Sequence, residues 1–227
     1  YILRRLIRRA VRHGMKIGLP AGMQSVIFNI SNVLIQSSIN SFGAVAVAGN
    51  TAAANVEGFV YISINSLYQT TLSFTSQNLG AGEYDRTRKG ARFGLWSAII
   101  LAELIAVVTF AGAPVLVGAF TQEPEAIAFG VAKCRICAPF FCLLAASHGF
   151  ASILRGAGKS VIPMVAMLTF WCVIRVAFLS IMVPITQSIN TVNWVYPLTW
   201  FCSTVFLLIY YLKADWIHAF EREKHKA

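Results

Sequence analysis

The sequence predicts an all-α polytopic membrane protein with six transmembrane helices. Three observations carry that reading. Of 227 residues, 57% are hydrophobic and only 12% are charged, about half the charge of an ordinary soluble domain. The charge that exists is lopsided, 19 Lys and Arg against 9 Asp and Glu, while the mean hydropathy stays at +0.65. Finally, the basic residues do not gather on one solvated surface, as nucleic-acid binding would require; they stand between apolar blocks, so no nucleic-acid partner is expected.

The first block, YILRRLIRRAVRHGMK, sets Ile2, Leu3, Leu6, Ile7, Ala10 and Val11 on one helical face and Arg4, Arg5, Arg8, Arg9 and Arg12 on the other. This predicts an amphipathic helix over 1–16 on the anionic inner leaflet, where membrane lipids are its partners. Spans then follow at about 17–39, 47–77, 93–118, 127–152, 161–183 and 194–213, with a charged tail over 214–227. The second span is rich in Ala, Asn, Ser and Thr and is weak by hydropathy. Charge parity restores it: basic clusters at Arg4–Lys16, Arg86–Arg92, Arg155–Lys159 and Lys213–Lys226 all belong on the cytoplasmic side, so two crossings separate each from the next. Both ends are then cytoplasmic, in the cell's inner membrane. Tyr1, rather than Met, opens the chain inside what reads as a linker, so further chain is expected upstream.

Polar residues within spans mark helix packing or a wet path. In the first span Ser25, Asn29, Asn32, Gln36 and Asn40 share one face; in the second Asn50, Glu57, Tyr61, Asn65 and Tyr68 share another. Interhelical hydrogen bonding would explain some of these, but so many amides and hydroxyls on one helix favour a cavity wall. The residues expected to line it are Asn29, Asn32, Gln36, Asn40, Glu57, Tyr61, Asn65 and Tyr68. Counting from the outer helix ends places Glu57, Arg135 and Arg175 at one depth, roughly 10 to 15 Å down. Two readings of Glu57 stay open: a carboxylate that titrates or binds a cation, or a permanent ion pair with Arg135 or Arg175. For Glu103 and His148 local hydrogen bonding or snorkelling is the favoured reading.

Several motifs fail on inspection. RGAGKS at 155–160 lacks the first glycine of a phosphate loop, and GAGEYD from Gly80 lacks the last glycine of a dinucleotide fingerprint. Both read as tight turns at helix ends. Five cysteines lie inside apolar blocks and four histidines have no paired spacing, so neither disulfides nor a metal site is expected. The near pair Ser147 and His148 points to different helix faces, and no catalytic residue, and hence no enzyme, is expected.

Four segments carry a specific resemblance: GLPAGMQS at 18–25, NTAAANVEGFVY at 50–61, QNLGAGEYDRTRKG at 77–90 and ILRGAGKSVIPM at 153–164. In register, they resemble the carboxy-terminal half of multidrug and toxic compound extrusion (MATE) transporters. The resemblance implies one six-helix lobe, helices seven to twelve, of a twelve-helix transporter of two lobes working by alternating access. It implies an antiporter that exports organic, cationic small-molecule solutes in exchange for sodium or protons, with no bound cofactor, and with an amino-terminal lobe as partner. NorM-like members place acids on the seventh and tenth helices. Here the first span has amides and hydroxyls and the fourth has Lys133 and Arg135, which leaves Glu57 as the nearest substitute; another branch places its key acid on the first helix of the amino-terminal lobe, outside this sequence. A flippase for lipid-linked precursors, of the same superfamily, is the alternative, since Lys133, Arg135 and Arg175 would suit a pyrophosphate.

Overall fold

The computed structural model describes residues 2–217, with backbone alone for parts of the first helix. Six antiparallel rods build it: α1 (Ile2–Asn40), α2 (Ala44–Gly80), α3 (Tyr84–Gly118), a broken rod of α4 (Pro124–Cys137) and α5 (Phe141–Gly156), a second broken rod of α6 (Val161–Met167) and α7 (Arg175–Thr186), and α8 (Ile189–Lys213). No strand occurs among the described residues. Four rods, α3, α4–α5, α6–α7 and α8, are long and apolar enough to cross a membrane. Neither α1, whose basic start continues into its span, nor the polar-rich α2 is among them.

Two turns share one design. Gly82 and Gly158 both adopt φ +80°, and in each the amide of the next residue reaches back five positions, Glu83 to the Asn78 carbonyl and Lys159 to the Leu154 carbonyl, both at 2.9 Å. These are Schellman caps, which need a left-handed residue that glycine supplies without steric cost. At the other end of the bundle Gln187 and Ser188 alone join α7 to α8. The uncharged turn expected over 186–193 is therefore short, because α8 starts at Ile189.

The broken rods have local causes. Pro139 cannot donate a backbone hydrogen bond, and the chain passes through a 3-10 turn at Ala138–Phe140. The Cys142 amide donates instead to Glu103 Oε1 of α3 at 3.0 Å, a hydrogen bond between two helices. In the other rod Leu168–Ile174 winds as a π-helix. Its wider turn is tied to its neighbours, with Ser31 Oγ of α1 donating to the Trp171 carbonyl at 3.2 Å and Trp171 Nε1 donating to Ser203 Oγ of α8 at 3.0 Å.

Side-chain size sorts inside out. The inward face of α3 is small, with Ala91, Ala98, Ala102, Ala106 and Ala113 buried, while Phe93, Trp96, Ile100, Leu104 and Val107 are exposed. Small residues let helix backbones approach where lipid already satisfies large apolar groups. α1 is continuous from Ile2 through the first span, so the basic segment over 1–16 extends that span. At 39 residues it is roughly 58 Å long. Exposed Ile7 and Val11 stand on it with exposed Arg4 and Arg8. Tyr1 and most of the charged tail, 218–227, lie outside the described residues.

Candidate functional site

Two adjoining cavities lie between α1, α2, α5, the π segment and α8. The larger, about 360 Å³, is lined by Ser25, Tyr61, Asn65, Tyr68, His148, Arg155 and Trp171, among others. The smaller, about 180 Å³, is lined by Asn32, Glu57, Tyr61, Trp171, Arg175 and Tyr196, with Phe141 and Trp200. Phe28, Tyr61 and Trp171 belong to both walls.

The 3.6-residue period of α2 explains its contribution. Glu57, Tyr61, Asn65 and Tyr68 follow one another by four, four and three positions, hence on one face. The larger cavity is aromatic and neutral in its centre. His148 packs edge-on to Tyr61 with ring centroids 5.5 Å apart and lies 5.3 Å from Trp171. Its Nδ1 is 3.1 Å from the Leu144 carbonyl, which places the proton there and leaves Nε2 to accept from Tyr61 Oη at 3.5 Å. Arg155 donates to Tyr68 Oη.

The smaller cavity is charged. Glu57 Oε2 pairs with Lys133 Nζ of α4 at 3.2 Å, and Lys133 also lies 5.1 Å from the Tyr196 ring. Across that ring's reach stands Arg175, 4.6 Å from the Tyr196 centroid and 5.4 Å from that of Trp171. Arg175 donates to Thr199 Oγ1 at 2.7 Å. Ion pairing in a dry site requires close geometry to offset desolvation, and aromatic faces are what support the second cation here.

Of the residues read from sequence, Asn32, Glu57, Tyr61, Asn65, Tyr68 and Arg175 therefore come together. Asn29, Gln36 and Asn40 stand outside both cavities; Asn29 donates to the Ser25 carbonyl at 2.9 Å, and Gln36 donates to Asn40 Oδ1 at 3.0 Å. Arg135 is exposed on α4. Of the two readings left open for Glu57, the structure contains an ion pair, but its partner is Lys133 and neither Arg135 nor Arg175. Two positions along a helix turn a side chain by roughly 200°, so Lys133 and Arg135 cannot both face inward. Trp171, Tyr196 and Trp200 went unread because aromatic residues inside an apolar span carry no period of their own.

All five cysteines are free thiols, and no metal-binding cluster of acids, histidines and cysteines occurs among the described residues.

Comparison with known proteins gives one consistent answer. The family model MatE matches residues 20–181. The probable multidrug resistance protein YoeA of Bacillus subtilis is 22% identical over 165 residues, which is 72% of this chain and 36% of that protein. Among solved structures, a point mutant of the Vibrio cholerae MATE transporter VcmN superposes with TM-score 0.82 at 17% identity, covering 93% of this chain and 49% of its own. The MATE transporter ClbM in complex with Rb+ superposes with the same score at 17% identity, covering 99% and 53%. The chain thus spans little more than a third of that curated relative and about half of the solved neighbours.

Proposed function

The chain belongs to the MatE family of membrane transporters, and on that premise we propose that it is the carboxy-terminal six-helix lobe of a secondary active, multidrug-type efflux antiporter. In this reading 17–213 forms the lobe, 1–16 leads in from an amino-terminal lobe, and 214–227 is a tail. Both ends lie on the cytoplasmic side of the inner membrane. The exposed polar edge of α1, with Asn29, Gln36 and Asn40, faces the other lobe across the solute path. Tyr61, Asn65 and Tyr68 line the path within this lobe. The relatives' printed names favour multidrug export over the lipid-linked flippase.

The coupling site is Glu57. The observation that carries this is the state of its carboxylate: Oε2 is held by Lys133, while Oε1 is buried without a hydrogen-bond partner. A buried open acceptor is costly until something fills it. A sodium ion or a proton fills it in one half of the cycle, and the solute's positive group competes for it in the other. Competition for one acceptor is the simplest physical basis of exchange. Arg175 sits in the same wall as a fixed cation, and Arg135 plays no part in the pair.

The test is accumulation of ethidium in pump-deficient bacteria expressing the gene's full product. Wild type is expected to lower accumulation relative to empty cells, and Glu57→Gln to abolish the difference at equal membrane expression. Efflux by Glu57→Gln equal to wild type contradicts the assignment.

A further inference from the structure

A groove of about 790 Å³ lies between α2 and α3, beside the turn that joins them. Leu67, Thr71 and Phe74 form its α2 wall, about 120° round that helix from the cavity residues Tyr61, Asn65 and Tyr68. Its α3 wall is Arg86, Lys89, Gly90, Phe93, Gly94 and Ser97, whose spacings of three and four positions put them on one face. Two glycines let these walls meet: a Cβ on Gly90 would strike the Phe74 ring, and one on Gly94 the Thr71 hydroxyl. Phe74 therefore lies against bare backbone, and the Arg86 guanidinium stands 5.9 Å from its ring centroid.

Polarity is segregated along the groove. Glu83, Asp85, Arg86 and Lys89, all exposed, gather at the turn. From Gly90 to Ser97 on α3 and from Leu67 to Phe74 on α2, no wall residue carries charge. Glu83 to Ser97 spans roughly 21 Å of helix, against about 15 Å for one leaflet of a ~30 Å hydrocarbon core. A charged mouth above an uncharged trough one leaflet deep fits an amphiphile standing along the membrane normal. Phe93, 75% exposed, leaves the trough open at its side.

The mouth narrows the headgroup. No ion pair joins its two acids to its two bases among the described residues, and the Glu83 side chain caps no helix amide, so both signs of charge are open to a guest. A phosphate satisfies Arg86 and Lys89. A headgroup with that charge alone leaves Glu83 and Asp85 without a cation, and a choline headgroup brings a cation that has no N–H to donate. A primary ammonium beside a phosphate answers both pairs.

Resting on the topology proposed above, which puts the α2–α3 turn on the cytoplasmic side, we propose that this groove binds an inner-leaflet aminophospholipid of the phosphatidylethanolamine type. Its phosphate lies on Arg86 and Lys89, its ammonium on Glu83 and Asp85, and one acyl chain runs along Phe74, Phe93 and Ser97. The lipid ties the turn to the leaflet beside α2, the helix that carries Glu57.

Native mass spectrometry of the purified full-length product, titrated with dioleoyl phosphatidylethanolamine, phosphatidylcholine or phosphatidylglycerol, tests this. Phosphatidylethanolamine is expected to bind about fivefold tighter than either of the others, the upper end for charge pairs at an exposed site. Glu83→Gln with Asp85→Asn should erase its advantage over phosphatidylglycerol, and Arg86→Gln with Lys89→Gln should weaken all three lipids alike. All four side chains are exposed, so these variants leave the packing intact. Equal binding of the three lipids in wild type overturns the proposal, as does tightest binding of phosphatidylglycerol, the mark of a general anionic-lipid surface. A ranking unmoved by either double variant puts the lipid elsewhere and overturns it too, as does no retained lipid, the outcome if the amino-terminal lobe covers the groove. Failure of the topology looks different: a thiol reagent outside intact cells would then label Glu83→Cys while the lipid ranking persists.

Discussion

Glu57 and Lys133 form an ion pair inside the bundle, and its energetics are asymmetric. Removing one partner of a buried pair strands the other charge at a cost of about 3 to 5 kcal/mol, whereas replacing both with apolar or neutral groups is often neutral or stabilising. Lys133→Met should therefore lower the melting temperature strongly, and Lys133→Met with Glu57→Gln should recover most of it without recovering transport. The readout is a thiol-reactive dye that labels buried Cys134, Cys137 and Cys172 as the bundle melts. A double variant no more stable than Lys133→Met would contradict the pair's role. Much of this site was legible in the sequence: the period of α2 named Glu57, Tyr61, Asn65 and Tyr68, and depth along the helices put Arg175 at the same level as Glu57. The partner of Glu57 was not legible. Lys133 and Arg135 lie at nearly one depth on one helix, and only packing decides which turns inward. In α1 the amides share a face, yet Asn32 alone of the four predicted there reaches a cavity, because α1 packs only lightly on the π segment, α2 and α7 and leaves most of that face outside.

At the scale of elements, helix crossings are set by close approach. A Cβ on Gly49 of α2 would strike the Ala126 carbonyl oxygen and come within 2.8 Å of Phe129 Cβ, and a Cβ on Gly130 would come within 2.9 Å of the Gly49 carbonyl oxygen. Neither backbone can yield without moving a helix. Gly49→Val is expected to cost about 1 to 3 kcal/mol of stability, the usual penalty of overpacking. Gly58→Ala on the same helix meets nothing within 4 Å and should be neutral or mildly stabilising through helix propensity. The same thiol-dye melt checks both, and equal melting of the two variants would contradict the crossing argument. The six rods themselves were readable from apolar length and basic clusters, and two failed nucleotide motifs correctly became turns. The π segment was not readable, because its cause is tertiary: Ser31 and Ser203 satisfy groups of Trp171 from α1 and α8, and no local residue announces it. The other break carried a local signal, Pro139 inside an apolar run, yet the fourth span reads as continuous over 127–152 in the sequence.

At the scale of the whole molecule, the cavities sit on the side of the bundle where α1, α2 and the π segment meet, while α3 turns large apolar residues outward. One side suits a second lobe and the other suits lipid. The chain covers about half of the solved transporters it resembles, so in the proposed reading the exchange cycle belongs to the full-length protein, with this lobe contributing the acid, the fixed cation and the aromatic walls. The central claim is that a cation gradient acts through Glu57 to move solute. Proteoliposomes of the full-length product, loaded with ethidium and exposed to a sodium or proton gradient of imposed direction, test it most directly. Dye movement against its own gradient in wild type, driven by one of the two ions and lost in Glu57→Gln while passive dye binding persists, is the predicted result. Gradient-driven movement that survives in Glu57→Gln, or dye movement that ignores both gradients in wild type, would contradict it.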